Sequence, residues 1–309
     1  RSGCFVDHWV PSRLHIVMHV LKVLMGASFR AVPVGKVGED TLGKQLLELL
    51  DESDMRLRNV TVEPGTETFS RFNVIFPDGQ TLTLQTGKSA SSLVDTDYMQ
   101  RVEVEFANFA ADAIVLTMPD VPLEARFAAL EFATKYHSFR VAVFNEDEIS
   151  QAIAGQFLQH IDLIVLTIQE AAALVGGKQE GQDGHAIAKA AVWKIRHFNK
   201  EMYVAITAGH LGSWVWNGDE LIYECGWTVP VGNPVGAKEA FLGGMLAAIC
   251  ANLPLDQSLC FGNLVSAAVA STHEVVPRHF GRQLLQEIAG STTRSLNSAI
   301  WDLLAGSSL

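Results

Sequence analysis

The chain has 309 residues, 48% hydrophobic and 18% charged, enough apolar material for one large core. Its net charge of −11 argues against a nucleic-acid or anionic-membrane partner, because phosphate backbones and lipid headgroups select basic surfaces. No apolar run reaches about 18 residues, Arg1-Ser2-Gly3-Cys4 lacks a signal-peptide pattern, and the cysteines show neither metal spacing nor disulfide density, so a reducing cytoplasm is the expected setting.

In chain order, Pro11-Ser12-Arg13 precedes a helical pattern that carries His15 and His19. Their spacing suits metal ligands, but no Glu or third ligand stands near, which favours packed or solvent-facing histidines. Ala31 to Val37 reads as a central strand. The segment after it, Gly38-Glu39-Asp40-Thr41-Leu42-Gly43-Lys44-Gln45, has P-loop spacing except at its end, where Gln45 replaces the Ser or Thr that holds magnesium. Two carboxylates inside the loop also oppose phosphate. Asn59 to Glu63, Thr68 to Phe76 and Gln80 to Gln85 alternate in period two around Pro77-Asp78-Gly79, predicting a small antiparallel β layer within residues 58–90.

Further strands are predicted at Ala113 to Thr117, Val141 to Asn145, Asp162 to Leu166 and Met202 to Thr207. Helical patterns follow most of them, so the fold class is α/β, a doubly wound, mostly parallel sheet flanked by helices. Ser213-Trp214-Val215-Trp216 and Leu221-Ile222-Tyr223 flank an Asn217-Gly218-Asp219 hairpin turn, and the two tryptophans read as packing residues. Helices at Phe241 to Ala251 and Leu255 to Val276 follow. No linker divides the chain, which predicts one domain over residues 1–309. Neither a Gly-x-Ser-x-Gly elbow nor a Gly-x-Gly-x-x-Gly loop supports a hydrolase or dinucleotide reading.

The most informative stretch is Gly232-Asn233-Pro234-Val235-Gly236-Ala237-Lys238-Glu239-Ala240-Phe241, a tight loop entering a helix. Backbone N–H groups and the positive end of the macrodipole make such a helix start an anion site. Lys238 works against the dipole in the first turn, so something anionic is expected to compensate it. Glu239 is a candidate carboxylate base.

The order of strand, Thr207-Ala208-Gly209-His210-Leu211-Gly212, hairpin, Gly-Ala loop and helix resembles the C-terminal half of the ribokinase-like family, the PfkB carbohydrate kinases. Against the family's Asp-Thr-x-Gly-Ala-Gly-Asp-x-Phe, this chain keeps Gly236, Ala237 and Phe241, with Lys238 at the third loop position and Glu239 at the catalytic Asp. Val37-Gly38-Glu39-Asp40-Thr41-Leu42-Gly43 resembles the family's Val-Gly-x-Asp-x-x-Gly. Thr167-Ile168-Gln169-Glu170-Ala171 resembles its Asn-x-x-Glu-Ala, keeping the Glu. The departures are Lys238, Glu239, Thr167 and the absence of the sugar-holding Gly-Gly and Asn, the latter falling on Val17.

The resemblance implies an ATP-dependent kinase of a small hydroxylated substrate, a sugar or nucleoside, with ATP and magnesium as cofactors. Glu239 would be the general base, and the N–H groups of Gly236, Ala237 and Lys238 the anion hole. Thr167 and Glu170 would sit near phosphates and magnesium through water, with no direct protein ligand to the metal. Thr207, Gly209 and Gly212 would line the nucleotide, and Asp7 would bind substrate. The β layer would form a lid over the sugar and a homodimer surface. The departures keep a second reading open, a ribokinase-like protein that has lost phosphoryl transfer and serves in binding or regulation.

Overall fold

The computed structural model describes residues 12–26, 29–75, 81–176, 183–274, 280–291, 294 and 296–306. Asp7 and the Pro77-Asp78-Gly79 turn lie outside them. Six strands form the central sheet: β5 (Ile114–Thr117), β6 (Phe139–Ala142), β7 (Leu163–Thr167), β8 (Tyr203–Thr207), β9 (Ser213–Trp216) and β10 (Leu221–Glu224), in spatial order β10-β9-β8-β7-β6-β5. β5 to β8 run parallel, whereas β9 and β10 are antiparallel to their neighbours. Burial on both faces explains the near-continuous apolar run Leu163-Ile164-Val165-Leu166.

The sheet is doubly wound, as the alternation of side chains shows. Val141, Val143, Leu163, Val165 and Val215 face a core shared with α1 (Arg13–Met25), α8 (Ala237–Cys250) and α9 (Leu255–Ala270). Ala142, Phe144, Ile164, Leu166, Trp214 and Trp216 face the opposite core, with α6 (Ile168–Val175) and α7 (Gly184–Arg196). Both tryptophans therefore pack, as read from the sequence. α8 is buried around most of its circumference, and Gly243 and Gly244 let Val20 of α1 and Val265 of α9 approach its backbone.

The N-terminal part departs from expectation. The segment Ala31 to Val37 is not a strand of the central sheet: only β1 (Gly35–Gly38) is extended and hydrogen-bonded, and it pairs with β2 (Val60–Glu63), in parallel. Pro33 has no N–H to offer a ladder. The Tyr98 hydroxyl lies 2.9 and 2.8 Å from the Gly35 and Asn59 carbonyl oxygens and ties the pair to α3 (Thr96–Phe109) instead. Antiparallel pairing in this part is confined to β3 (Arg71–Ile75) with β4 (Thr81–Gln85) among the described residues. The layer expected from alternation is thus two separate two-stranded sheets.

The P-loop-like segment has a structural job. Asp40 caps α2 (Thr41–Glu52), accepting from the Gly43 N–H at 2.7 Å, and it also accepts from the Thr68 N–H and hydroxyl, both at 2.7 Å. Burial opposes charge on Asp40, but these donors outweigh it and hold the carboxyl below its usual value. A side chain at Gly38 or Gly43 would strike the Thr66–Thr68 backbone or the Gly38 carbonyl. The motif therefore pins the approach to β3 against the start of α2.

Candidate active site

The candidate site residues gather at the carboxyl ends of the parallel strands, where open α/β sheets bind their ligands. Register places Thr167 of β7 directly beside Thr207 of β8. Thr167 then begins α6 in a capping box: its hydroxyl accepts from the Glu170 N–H at 3.2 Å, and Glu170 Oε2 accepts from the Thr167 N–H at 2.7 Å. Gly236 begins α8 at φ 86°, a left-handed turn that suits glycine. Its loop is anchored by the Gly232 and Asn233 N–H groups on the Ala270 carbonyl at 2.9 and 3.2 Å, and by the Val235 N–H on Asn233 Oδ1 at 3.0 Å. The Ala237 N–H turns back to the Pro234 carbonyl at 3.3 Å.

Lys238 connects the two helix starts. Its ammonium donates to Glu170 Oε1 and Oε2 at 2.6 and 2.8 Å. The anion that compensates Lys238 against the α8 dipole is thus a carboxylate of the chain itself, at the start of a second helix where a negative charge is favourable. Thr167, Glu170, Gly236, Ala237 and Lys238 are brought together, and Thr207 adjoins them through the sheet. Gly209 (φ 58°) presents open space where a side chain would stand. Gly212 (φ 101°) does not: a side chain there would collide with the Glu224 carbonyl, so its smallness serves chain crossing at the end of β10.

Glu239 faces the other way. It lines a cavity of about 1910 Å³ that takes in Gly236, Arg13, Arg71 and Asp120 but not Lys238, Glu170, Thr167 or Thr207. Arg13 Nε lies 3.7 Å from Glu239 Oε1 and 3.9 Å from Asp120 Oδ2, and Arg13 Nη1 donates to Asn145 Oδ1 at 2.8 Å. Arg71 Nη2 donates to Asp120 Oδ1 at 3.0 Å. Burial, then the neighbouring Arg13 charge, lowers the Arg71 pKa from its usual value. Asp120 sits just beyond β5 at φ 83°, a conformation uncommon outside glycine.

Sequence reasoning missed Arg13, Arg71 and Asp120. A signal existed for Arg13, since a cation in the first helical position opposes the dipole as Lys238 does. Asp120, between two prolines after a strand, offered a weaker one. Arg71, inside the small strand layer, offered none. His15 and His19 pack together on α1 with ring centroids 5.9 Å apart, and burial, with His19 adding to it, lowers the His15 pKa to about 4. Among the described residues no group of three His, Cys, Asp or Glu side chains could hold a metal ion, and no helix is long and apolar enough to cross a membrane.

Comparison with solved structures agrees with this architecture. Ribokinase from Arabidopsis thaliana, complexed with ribose and ATP, is similar over 89% of this chain and 86% of its own, at 18% identity and a TM-score of 0.70. Ribokinase from Cryptococcus neoformans in complex with ADP is similar over 90% and 88%, at 15% identity and a TM-score of 0.71. A mutant of Escherichia coli phosphofructokinase-2 is similar over 90% and 86%, at 19% identity and a TM-score of 0.67. At these identities the likeness establishes the fold. Residues 17–277 match the model of the pfkB family carbohydrate kinases, and the chain belongs to that family.

Proposed function

We propose that the protein is an ATP-dependent phosphotransferase acting on a hydroxyl of a small sugar-like or nucleoside substrate. The observation that carries this reading is the position of Glu239: a carboxylate in the first turn of α8, beside the left-handed Gly236 loop, opening into the cavity. Glu239 would accept the proton of the attacking hydroxyl. The helix start leaves the Lys238 and Glu239 N–H groups without intrahelical acceptors, so they can face a transferred phosphoryl, with the Gly236 N–H beside them. The Ala237 N–H would join them on leaving Pro234.

The α6 start supplies the kind of oxygen donors a hydrated magnesium takes, the Glu170 carboxylate, here held by Lys238, and the Thr167 hydroxyl. When bound, the ion would offset phosphate charge. Glu170 and Thr167 would hold it through water, and the Lys238 ammonium would pass from Glu170 to a phosphate oxygen. Thr207 and Gly209 would border the nucleotide. The small strand layer would close over the acceptor, and exposed Val62 and Leu84 on β2 and β4 support its use as a homodimer surface; the setting would be the cytoplasm.

The Lys238–Glu170 and Arg13–Glu239 pairs favour a second reading, a binding or regulatory protein without phosphoryl transfer. Calorimetric titration with a nonhydrolysable ATP analogue and magnesium separates the two. Micromolar binding, with turnover of some sugar or nucleoside in a coupled assay, is expected. No binding up to millimolar analogue would transfer the assignment to the second reading.

A further inference from the structure

We propose that the acceptor substrate carries an anionic group, a carboxylate or a phosphate, bound by Arg71 and Arg13. The proposal rests on the phosphotransferase reading of the Glu239 cavity and names the substrate class that this cavity selects.

Both arginines hold donors in reserve. A guanidinium offers five N–H groups in a planar fork. Among the described residues Arg13 makes one hydrogen bond, to Asn145, and its approaches to Glu239 and Asp120 at 3.7 and 3.9 Å are charge contacts longer than hydrogen bonds. Arg71 places only Nη2 on acceptors among these residues, Asp120 at 3.0 Å and Gln85 Oε1 at 3.4 Å. Its Nε is buried with no hydrogen-bond partner among them. A buried donor without an acceptor is destabilising, and the buried Nε of Arg126, on the same cavity, is likewise without a partner among the described residues. Both forks line the same cavity, and the anions that match such a fork are carboxylate and phosphate.

The countercharges here are shared rather than dedicated. Asp120 serves two guanidiniums, close enough to each other that Arg13 works against the charge on Arg71, and Glu239 and Asp147 add weaker attraction on Arg71. Another cavity-lining arginine, Arg126, brings no spare charge, since Glu148 accepts from it at 2.5 Å and the Val143 carbonyl at 3.1 Å. The remaining countercharge for Arg13 among the described residues is Glu239, the group needed as base. A substrate anion that takes Arg13 would release Glu239 to the hydroxyl, whereas a neutral sugar would leave the base paired. Arg13 is not explained by helix stability, because a cation at the first position of α1 opposes the dipole.

The test is a matched series, glucose, gluconate and glucose 6-phosphate, with sulfate as the small-anion control, measured by thermal shift and calorimetry on the wild type, Arg71→Met, Arg71→Lys and Asp120→Asn. Gluconate or glucose 6-phosphate is expected to raise Tm where glucose does not, and which of the two does so separates carboxylate from phosphate. Arg71→Met should weaken that binding by roughly tenfold or more, with Arg71→Lys recovering little because it lacks the fork. Asp120→Asn removes the competing carboxylate and should strengthen binding, an outcome a misfolded variant cannot mimic. Glucose binding as well as its acids, sulfate giving the same shift as an adventitious anion, or no member binding at millimolar concentration would each overturn the proposal. Binding of the ATP analogue is read in parallel: acids bound without nucleotide would sink the kinase reading alone, and nucleotide bound without acids this proposal alone.

Discussion

Two ion pairs one residue apart on α8 differ sharply. Lys238 and Glu170 meet at 2.6 and 2.8 Å, and Glu170 is held further by the capping box with Thr167. Glu239 and Arg13 stay 3.7 Å apart, and the Arg71 Nε beside them has no acceptor among the described residues. The first pair is a closed structural unit that joins two helix starts. The second is a charge contact that a ligand can exchange. On the proposed reading, the phosphate side would hold its closed pair until nucleotide arrives, and the acceptor side would exchange its looser pair for substrate.

The largest expected effect tests the acceptor side. Glu239→Gln keeps the shape and removes the proposed base, so turnover should fall by about 10²–10⁴-fold with ATP-analogue affinity nearly unchanged. Steady-state rates and calorimetry on one preparation decide it, and surviving turnover would remove the assigned role.

Acid should distinguish the two sides next. The folded-state pKa of His15 is about 4 against 6.5 for the free side chain, so the unfolded chain binds its proton first as pH falls. Stability is present above pH 6.5 and declines toward pH 4, by on the order of 3 kcal/mol for His15 if the burial persists. His19, also lowered by burial, adds in the same direction. Both lie on α1, whose first residue is Arg13, so on going from pH 6.5 to 5 the protection of amides, relative to their intrinsic exchange at each pH, should fall in α1 before α6 and α8. Equal protection in all three would contradict the assignment.

The contrast also explains what could be read from the sequence. The fold was legible because strand and helix alternate with strong periodicity, and the loop before α8 because Gly236, Ala237 and a first-turn Lys-Glu pair are local. Lys238 was legible as a charge that wanted an anion, but not its partner, since Glu170 lies 68 residues away. Arg13, Asp120 and Arg71 converge from a helix start, a strand end and a two-stranded layer, and no spacing encodes that convergence. β1 was misread because a short apolar run with a proline looks like a buried strand, while Tyr98, far along the chain, decides where it is tied.

The two smallest effects measure the pairs against each other. Glu170→Ala removes the Lys238 partner and uncaps Thr167, leaving a part-buried ammonium at a helix N-terminus, and should destabilise by about 2 kcal/mol. Arg13→Met removes loose charge contacts to Glu239 and Asp120, the 2.8 Å hydrogen bond to Asn145 and an unfavourable dipole interaction while keeping the apolar stem, so its net destabilisation should stay at about 1 kcal/mol or less, below that of Glu170→Ala. Urea unfolding of both variants gives the ratio directly. If Arg13→Met were as destabilising as Glu170→Ala, Arg13 would be a structural anchor of α1, and exchange of Glu239 for a substrate anion would lose its physical basis.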